Sequence, residues 1–218
     1  MLHLLLGPAR SGKTAALAAR VGEGLRRSDR TALVLVPEQF SFETERSLML
    51  LLGARDMARV EVLSFTRLCE RVFRECGGYA SNRLDAVGRR IAMDAALHEC
   101  ADRLVFYGRQ IAYPAFQKEL ILAVGNCKAS LVTPEMLLRA SELQPASSPL
   151  CGKLHDLGVI LAAFDAYVAQ TAADPQDDLA RAAERLRGAD FFVRTDLYID
   201  AFKDFSAAQE GVLAYALA

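Results

Sequence analysis

The chemistry most legible in this chain lies in eight consecutive residues: Gly7, Pro8, Ala9, Arg10, Ser11, Gly12, Lys13 and Thr14. They satisfy G-x-x-x-x-G-K-[S/T], the pattern of a loop that wraps nucleotide phosphates. Each residue type has a physical reason. The glycines let backbone N–H groups turn inward around phosphate oxygens. Lys13 neutralises charge at the β and γ positions, and Thr14 offers a hydroxyl to Mg²⁺. Such a loop works after a strand and at the start of a helix, whose N-terminus favours anions. Both neighbours are present as patterns: apolar residues 2–6 (LHLLL) precede it and alanine- and leucine-rich residues 13–27 follow. ATP with Mg²⁺ is the expected ligand.

Turning a bound triphosphate over needs more. An acidic residue at the end of a neighbouring strand must hold the metal, and usually a second carboxylate activates water. Leu197-Tyr198-Ile199-Asp200 supplies the first, so Thr14 and Asp200 form the expected Mg²⁺ pair. The next residue is Ala201, whose methyl group cannot accept a proton. The site therefore reads as one built to bind more than to hydrolyse, and no catalytic residue is assigned.

The elements that must position these residues alternate along the chain. Residues 32–36 (ALVLV) read as a buried strand. Ser41 is expected to cap a helix to about residue 52, with Phe42, Leu48, Met49 and Leu52 on its apolar face. Residues 60–63 read as a third strand, followed by a helix over about 65–76 that stops at Gly77-Gly78. Strand–helix alternation of this kind predicts an α/β fold with a parallel sheet. After Gly78 the pattern becomes purely helical, broken at Tyr107-Gly108, Pro114, Pro134, residues 145–149 and Asp174-Pro175. The clearest helix carries Leu154, Leu157, Leu161, Phe164 and Val168 at spacings of three and four. Strand signal returns at residues 197–199, and a last helix starts near Ser206. The expected organisation is a P-loop domain of residues 1–80 and 190–218 interrupted by an all-helical insertion, 81–189.

Composition narrows the classes. The 218 residues carry 26 basic and 27 acidic side chains, and 52% are hydrophobic, which excludes a disordered tail. No apolar run reaches the roughly 18 residues of a membrane span, and residues 1–6 lack the basic start of a signal peptide. A cytoplasmic protein with no membrane partner is expected. Residues 1–80 hold 12 basic and 9 acidic side chains, so a polyanion is expected to meet that third of the chain. Cys69, Cys76, Cys100, Cys127 and Cys151 include no C-x-x-C pair, and they are expected to be free thiols in a reducing compartment.

With these pieces in place, the chain resembles the N-terminal part of the AddB/RexB family, the B subunits of ATP-dependent helicase–nucleases, whose members are similar to superfamily 1 helicases. The resemblance covers essentially all 218 residues. It rests on GPARSGKT at residues 7–14, VPEQFSFETERSL at 36–48, LSFTRLCERVFRECGG at 63–78, KLHDLGVILAAFDAYV at 153–168, DPQDDLARAAERL at 174–186 and YIDAFKDFSAAQ at 198–209. The last segment lines up with the helicase pattern D-E-F-Q-D-T-x-x-x-Q, keeping the metal-binding Asp200 and replacing the catalytic Glu with Ala201. The resemblance implies a RecA-like (1A-type) domain with a 1B-type helical insertion, in a fragment whose sheet is incomplete. It also implies a module of DNA double-strand-break repair that holds single-stranded DNA and takes part in recognising the hotspot Chi, beside an AddA-type partner. The implied DNA contacts are Gln39 and Ser41 to bases, Phe65 by stacking, and Thr66 and Arg67 along the same path. Glu70 departs from the aromatic residue that relatives often carry, which sets Chi reading apart from generic DNA holding. No nuclease carboxylate cluster and no iron–sulfur cluster are expected within these residues.

Two other classes fit parts of the pattern. A thymidine-kinase-like phosphotransferase can carry a similar G-P-x-x-S-G-K-[S/T] loop but expects a cysteine-paired zinc ribbon. A non-catalytic scaffold could use the loop only to stiffen an interface.

Overall fold

The computed structural model describes residues 2–8 and 10–217. Two compact units divide it, one made of residues 1–79 with 179–218 and the other of residues 80–178.

The first unit is built on three strands: β1 (Thr31–Leu35), β2 (Val60–Leu63) and β3 (Thr195–Ile199). All pair in parallel in the order β2-β1-β3, with Val34 opposite Val62 on one side and Tyr198 on the other. Central β1 is buried on both faces from Ala32 to Leu35, which is why it reads as an unbroken apolar run. Alternation along the strand then sorts its side chains into two layers. Ala32 and Val34 face α1 (Lys13–Arg27), packing with Leu17, Val21 and Leu25, and with Leu48 of α2 (Ser41–Met57). Leu33 and Leu35 face α3 (Phe65–Cys76), packing with Leu68, Val72 and Phe73. The same layer includes Ala182 and Leu186 of α8 (Asp178–Leu186) and Val212 of α9 (Ala207–Leu217). Burying each such aliphatic or aromatic side chain is worth about 1.5–3 kcal/mol, so the two layers hold the sheet between them.

Three expectations are corrected here. Residues 2–6 form no strand, and Leu2, Leu4 and Leu6 are exposed. An apolar run satisfies the burial requirement of a strand, but a strand also needs a ladder partner, and residues 2–6 pair with none of the three strands. The apolar face of α2 is narrower than expected: Leu48 is buried and Leu52 packs beside it, whereas Phe42 and Met49 are exposed. Seven residues apart, those two share a face of their own, about 100° around the helix from Leu48. Ser41 is the first helical residue and makes no side-chain cap. The expected helix end at residue 52 coincides with a break at Gly53, whose φ of 76° interrupts the helical geometry before one further turn.

The second unit contains α4 (Ala86–Cys100), α5 (Pro114–Ala129), α6 (Pro134–Glu142) and α7 (Pro149–Thr171). Three of these begin on proline, whose fixed φ and missing N–H suit the first helical position. On α7, Leu161, Phe164 and Val168 are buried together with Ile160. They meet Met93 and Leu97 of α4 and Leu120 and Val124 of α5. Among the described residues of this unit the only extended pairing is an isolated parallel bridge, Arg83 with Ala173. Helix α8 belongs almost wholly to the first unit, so the boundary falls about ten residues before the expected 189.

Candidate nucleotide-binding site

In a parallel sheet all carboxyl ends lie on one edge, the edge where ligands bind in open α/β sheets. Asp200 follows β3 there, Gln39 and Ser41 follow β1, and Phe65, Thr66 and Arg67 follow β2. The amino end of α1 is joined to this edge by a hydrogen bond: Thr14 Oγ1 donates to Asp200 Oδ2 at 2.7 Å, across 186 residues of sequence. Asp200 is itself held, because its N–H donates to Leu35 O at 3.1 Å and its Oδ1 accepts from Ala201 N at 2.9 Å.

In the loop before α1, Arg10 and Gly12 take positive φ values, 62° and 84°, and the Ser11 N–H between them donates to Pro8 O at 3.4 Å. Ser11 folds over Gly7, so that a Cβ on Gly7 would meet Ser11 Oγ at 2.6 Å and make that hydroxyl turn away. Among the described residues no side chain caps α1, whose first turn also lacks any acidic residue, so its N–H groups face outward unpaired by side chains. Lys13 Nζ donates to the carbonyls of Gly7 at 2.9 Å and Pro8 at 2.7 Å, folding back over the loop. Ala9 lies outside the described residues. Thr14 and Asp200 make a two-oxygen set, which fits a Mg²⁺ that takes one or two protein ligands and completes its shell with water and phosphate.

Ala201 sits at φ 64°, a left-handed conformation that strains any residue with a Cβ. Residue type alone carries no sign of this. Ser206 and Gln209 form a reciprocal cap at the start of α9: Gln209 Oε1 accepts from Ser206 N at 2.9 Å and Ser206 Oγ from Gln209 N at 3.3 Å. That S-x-x-Q spacing is a readable capping signal.

The residues implied as DNA contacts divide. Gln39, Thr66 and Arg67 are exposed on the carboxyl edge. Ser41 is buried with its hydroxyl lacking a hydrogen-bond partner among the described residues. Phe65 is buried, edge-on to Phe202 at 5.4 Å and to Phe205 at 6.3 Å. Its ring belongs to the core that packs against α3. Among the described residues Arg67 has no side-chain partner to offset its place in the first turn of α3, whose cap is Ser64 accepting from its N–H.

Fold and site together define an α/β protein with a small parallel sheet and a phosphate-loop sequence facing a strand-end aspartate. The sequence matches the family described as "ADDB, N-terminal" over residues 4–217, and the chain belongs to that family. It is 35% identical over 217 residues to the B subunit of the ATP-dependent helicase/deoxyribonuclease of Desulforudis audaxviator, covering 97% of this chain. The proteins of the same name from Moorella thermoacetica and Heliobacterium modesticaldum are 33% and 32% identical, over 97% and 98% of this chain. The chain spans about a fifth of the length of these curated relatives, 19%, 19% and 18% respectively.

Proposed function

We propose that the first unit is a RecA-like P-loop domain that binds ATP–Mg²⁺ and holds single-stranded DNA, with little hydrolysis of its own. On this reading it serves the AddB-type chain of a helicase–deoxyribonuclease, which works beside a second, AddA-type chain in DNA break repair. The observation that carries it is the Thr14–Asp200 hydrogen bond, which joins the two oxygens a Mg²⁺ needs from opposite ends of the chain. Residues 7–14 would cradle the phosphates, Lys13 would leave its loop carbonyls for the phosphate oxygens, and Thr14 and Asp200 would hold the metal. The bound metal would bridge and neutralise phosphate charge. Ala201 offers no group to take a proton from water, and general-base help is worth about 10²- to 10⁴-fold in rate. Gln39, Thr66 and Arg67 would line the DNA path, with Arg67 meeting phosphate or a base edge.

The test is nucleotide titration. Lys13→Ala should weaken ATP binding about 10- to 100-fold, the equivalent of about 1.5–3 kcal/mol for a charged hydrogen bond. Phosphate release should stay near the Lys13→Ala blank with or without oligo(dT). Equal binding curves would overturn the nucleotide site, and DNA-stimulated turnover of several per second would overturn the loss of catalysis.

A further inference from the structure

The helical unit carries a second feature with the chemistry of a binding surface. Residues 80–178 are acidic as a whole, with nine basic and twelve acidic side chains. Within them the segment 103–113 (RLVFYGRQIAY) has two arginines, three aromatic residues and no acid. It connects α4 to α5 with little regular structure, yet it is firmly held. Asp156 of α7, fully buried, accepts hydrogen bonds from three successive N–H groups: Val105 at 2.9 Å, Phe106 at 2.8 Å and Tyr107 at 2.7 Å. Tyr107 is wedged between Phe106 and Phe116, at 5.1 and 4.9 Å between ring centres. Gly152 lets α7 come close, since a Cβ there would lie 3.1 Å from Phe106 Cβ.

What this anchoring presents is exposed. Tyr113 is 64% exposed and Phe106 37%, Arg103 and Arg109 of the same segment are exposed, and Lys153 Nζ stands 5.3 Å from the centre of the Phe106 ring. Buried carboxylates are costly, and this one is occupied in fixing a loop that leaves Tyr113 exposed and Phe106 partly so. Rigid aromatic faces among cations are what unpaired bases stack on, with the cations meeting the phosphates.

We infer that residues 103–113, with Lys153, form a stacking platform for single-stranded nucleic acid on the helical unit. The inference rests on the DNA-holding reading above and extends it to a second contact. Local charge selects this partner: the segment is cationic inside an acidic unit, so it attracts a polyanion and an acidic protein face less selectively, because stacking adds a preference for bases.

The experiment is fluorescence anisotropy of the 218-residue chain with labelled oligo(dT) and an abasic oligomer of equal length, at several salt concentrations. Tyr113→Ala combined with Phe106→Leu should weaken oligo(dT) binding about five-fold or more. It should leave abasic binding unchanged and keep the wild-type melting curve. Arg103→Ala with Arg109→Ala should weaken both oligomers and flatten the salt dependence. Photocrosslinking with 4-thiothymidine should mark the 103–113 peptide. Equal affinity of the wild-type chain for both oligomers, or wild-type oligo(dT) affinity in the aromatic double variant, would overturn the platform and leave the face to a protein. Arg67→Ala separates the two readings. Loss in that variant alone overturns the platform and keeps the sheet edge, loss in the aromatic variant alone does the reverse, and no binding at all overturns both.

Discussion

Single side chains in this protein act by where the backbone lets them reach. Asp156 is the plainest case, because one carboxylate replaces the ladder or helix partners that three consecutive N–H groups of an irregular segment lack. Burial pushes its pKa up, but the N–H donors of Tyr107 and Val105, His155 and the N–H of Phe106 outweigh burial and hold it below the ordinary 3.8. A depressed folded value means the stabilisation is fully present above the unfolded value and is lost as pH falls through the folded one. Asp156→Asn should therefore cost about 2–3 kcal/mol at neutral pH, since it removes a charged acceptor from buried donors. The gap between variant and wild type should stay flat above about pH 5 and shrink below about pH 4. Urea midpoints at neutral and acidic pH, about 7 and about 3, measure it. An equal gap at both would show that the carboxylate charge is not what holds the segment.

Elements of the helical unit are tied by one buried cation. Lys128 on α5 is 7% exposed on its side chain and reaches Asp165 of α7 at 2.8 Å, Asp177 at 2.7 Å and fully buried Asp174 at 3.4 Å. Arg89 of α4 approaches Asp174 from the other side at 3.4 Å. Burial pushes the Lys128 pKa down, yet its hydrogen bonds to Asp165 and Asp177 outweigh that and keep it charged. Removing one partner of a buried ionic group strands the others, so Lys128→Met should destabilise the protein by about 3–5 kcal/mol. Asp174→Asn added to Lys128→Met should recover part of the loss, because it removes the carboxylate left in the core. Thermal melts of the single and double variants test this, and additive losses would refute it.

At the scale of the whole molecule, the helical unit leaves and re-enters the chain at one place. Arg83 bridges Ala173, Leu84 N–H donates to Ala173 O at 3.0 Å, Asn82 Nδ2 donates to Thr171 O at 2.6 Å, and Arg83 pairs with Asp178. Its core is its own, running from Ala92 through Phe164 to Val168. Adjacent ends and a private core are the marks of a segment that folds alone. Residues 80–178 expressed by themselves should keep a helical circular dichroism spectrum and unfold in one cooperative transition. A broad, non-cooperative melt would show that the unit depends on the sheet.

What the sequence determined by itself is the local and periodic part. Residue types placed α1 at Lys13–Arg27, β2 at Val60–Leu63 and α3 at Phe65–Cys76 with the observed bounds, because helix and strand periods and glycine stops act within a few residues. The seam on α7 was legible for the same reason, as was the place of Asp200 at the end of a strand. Tertiary structure decided the rest. Residues 2–6 have the composition of a buried strand, but pairing depends on which strand edges lie within reach, and no local pattern carries that. Phe65 follows a strand in a segment that could have offered its ring to a base. Only the arrival of Phe202 and Phe205, from far along the chain, buries it. The grip of Asp156 on residues 105–107 was equally silent, since a lone aspartate in an apolar helix looks the same whether it meets water or three N–H groups. Contacts between distant segments are set by how helices and strands pack, and packing is a property of the whole chain.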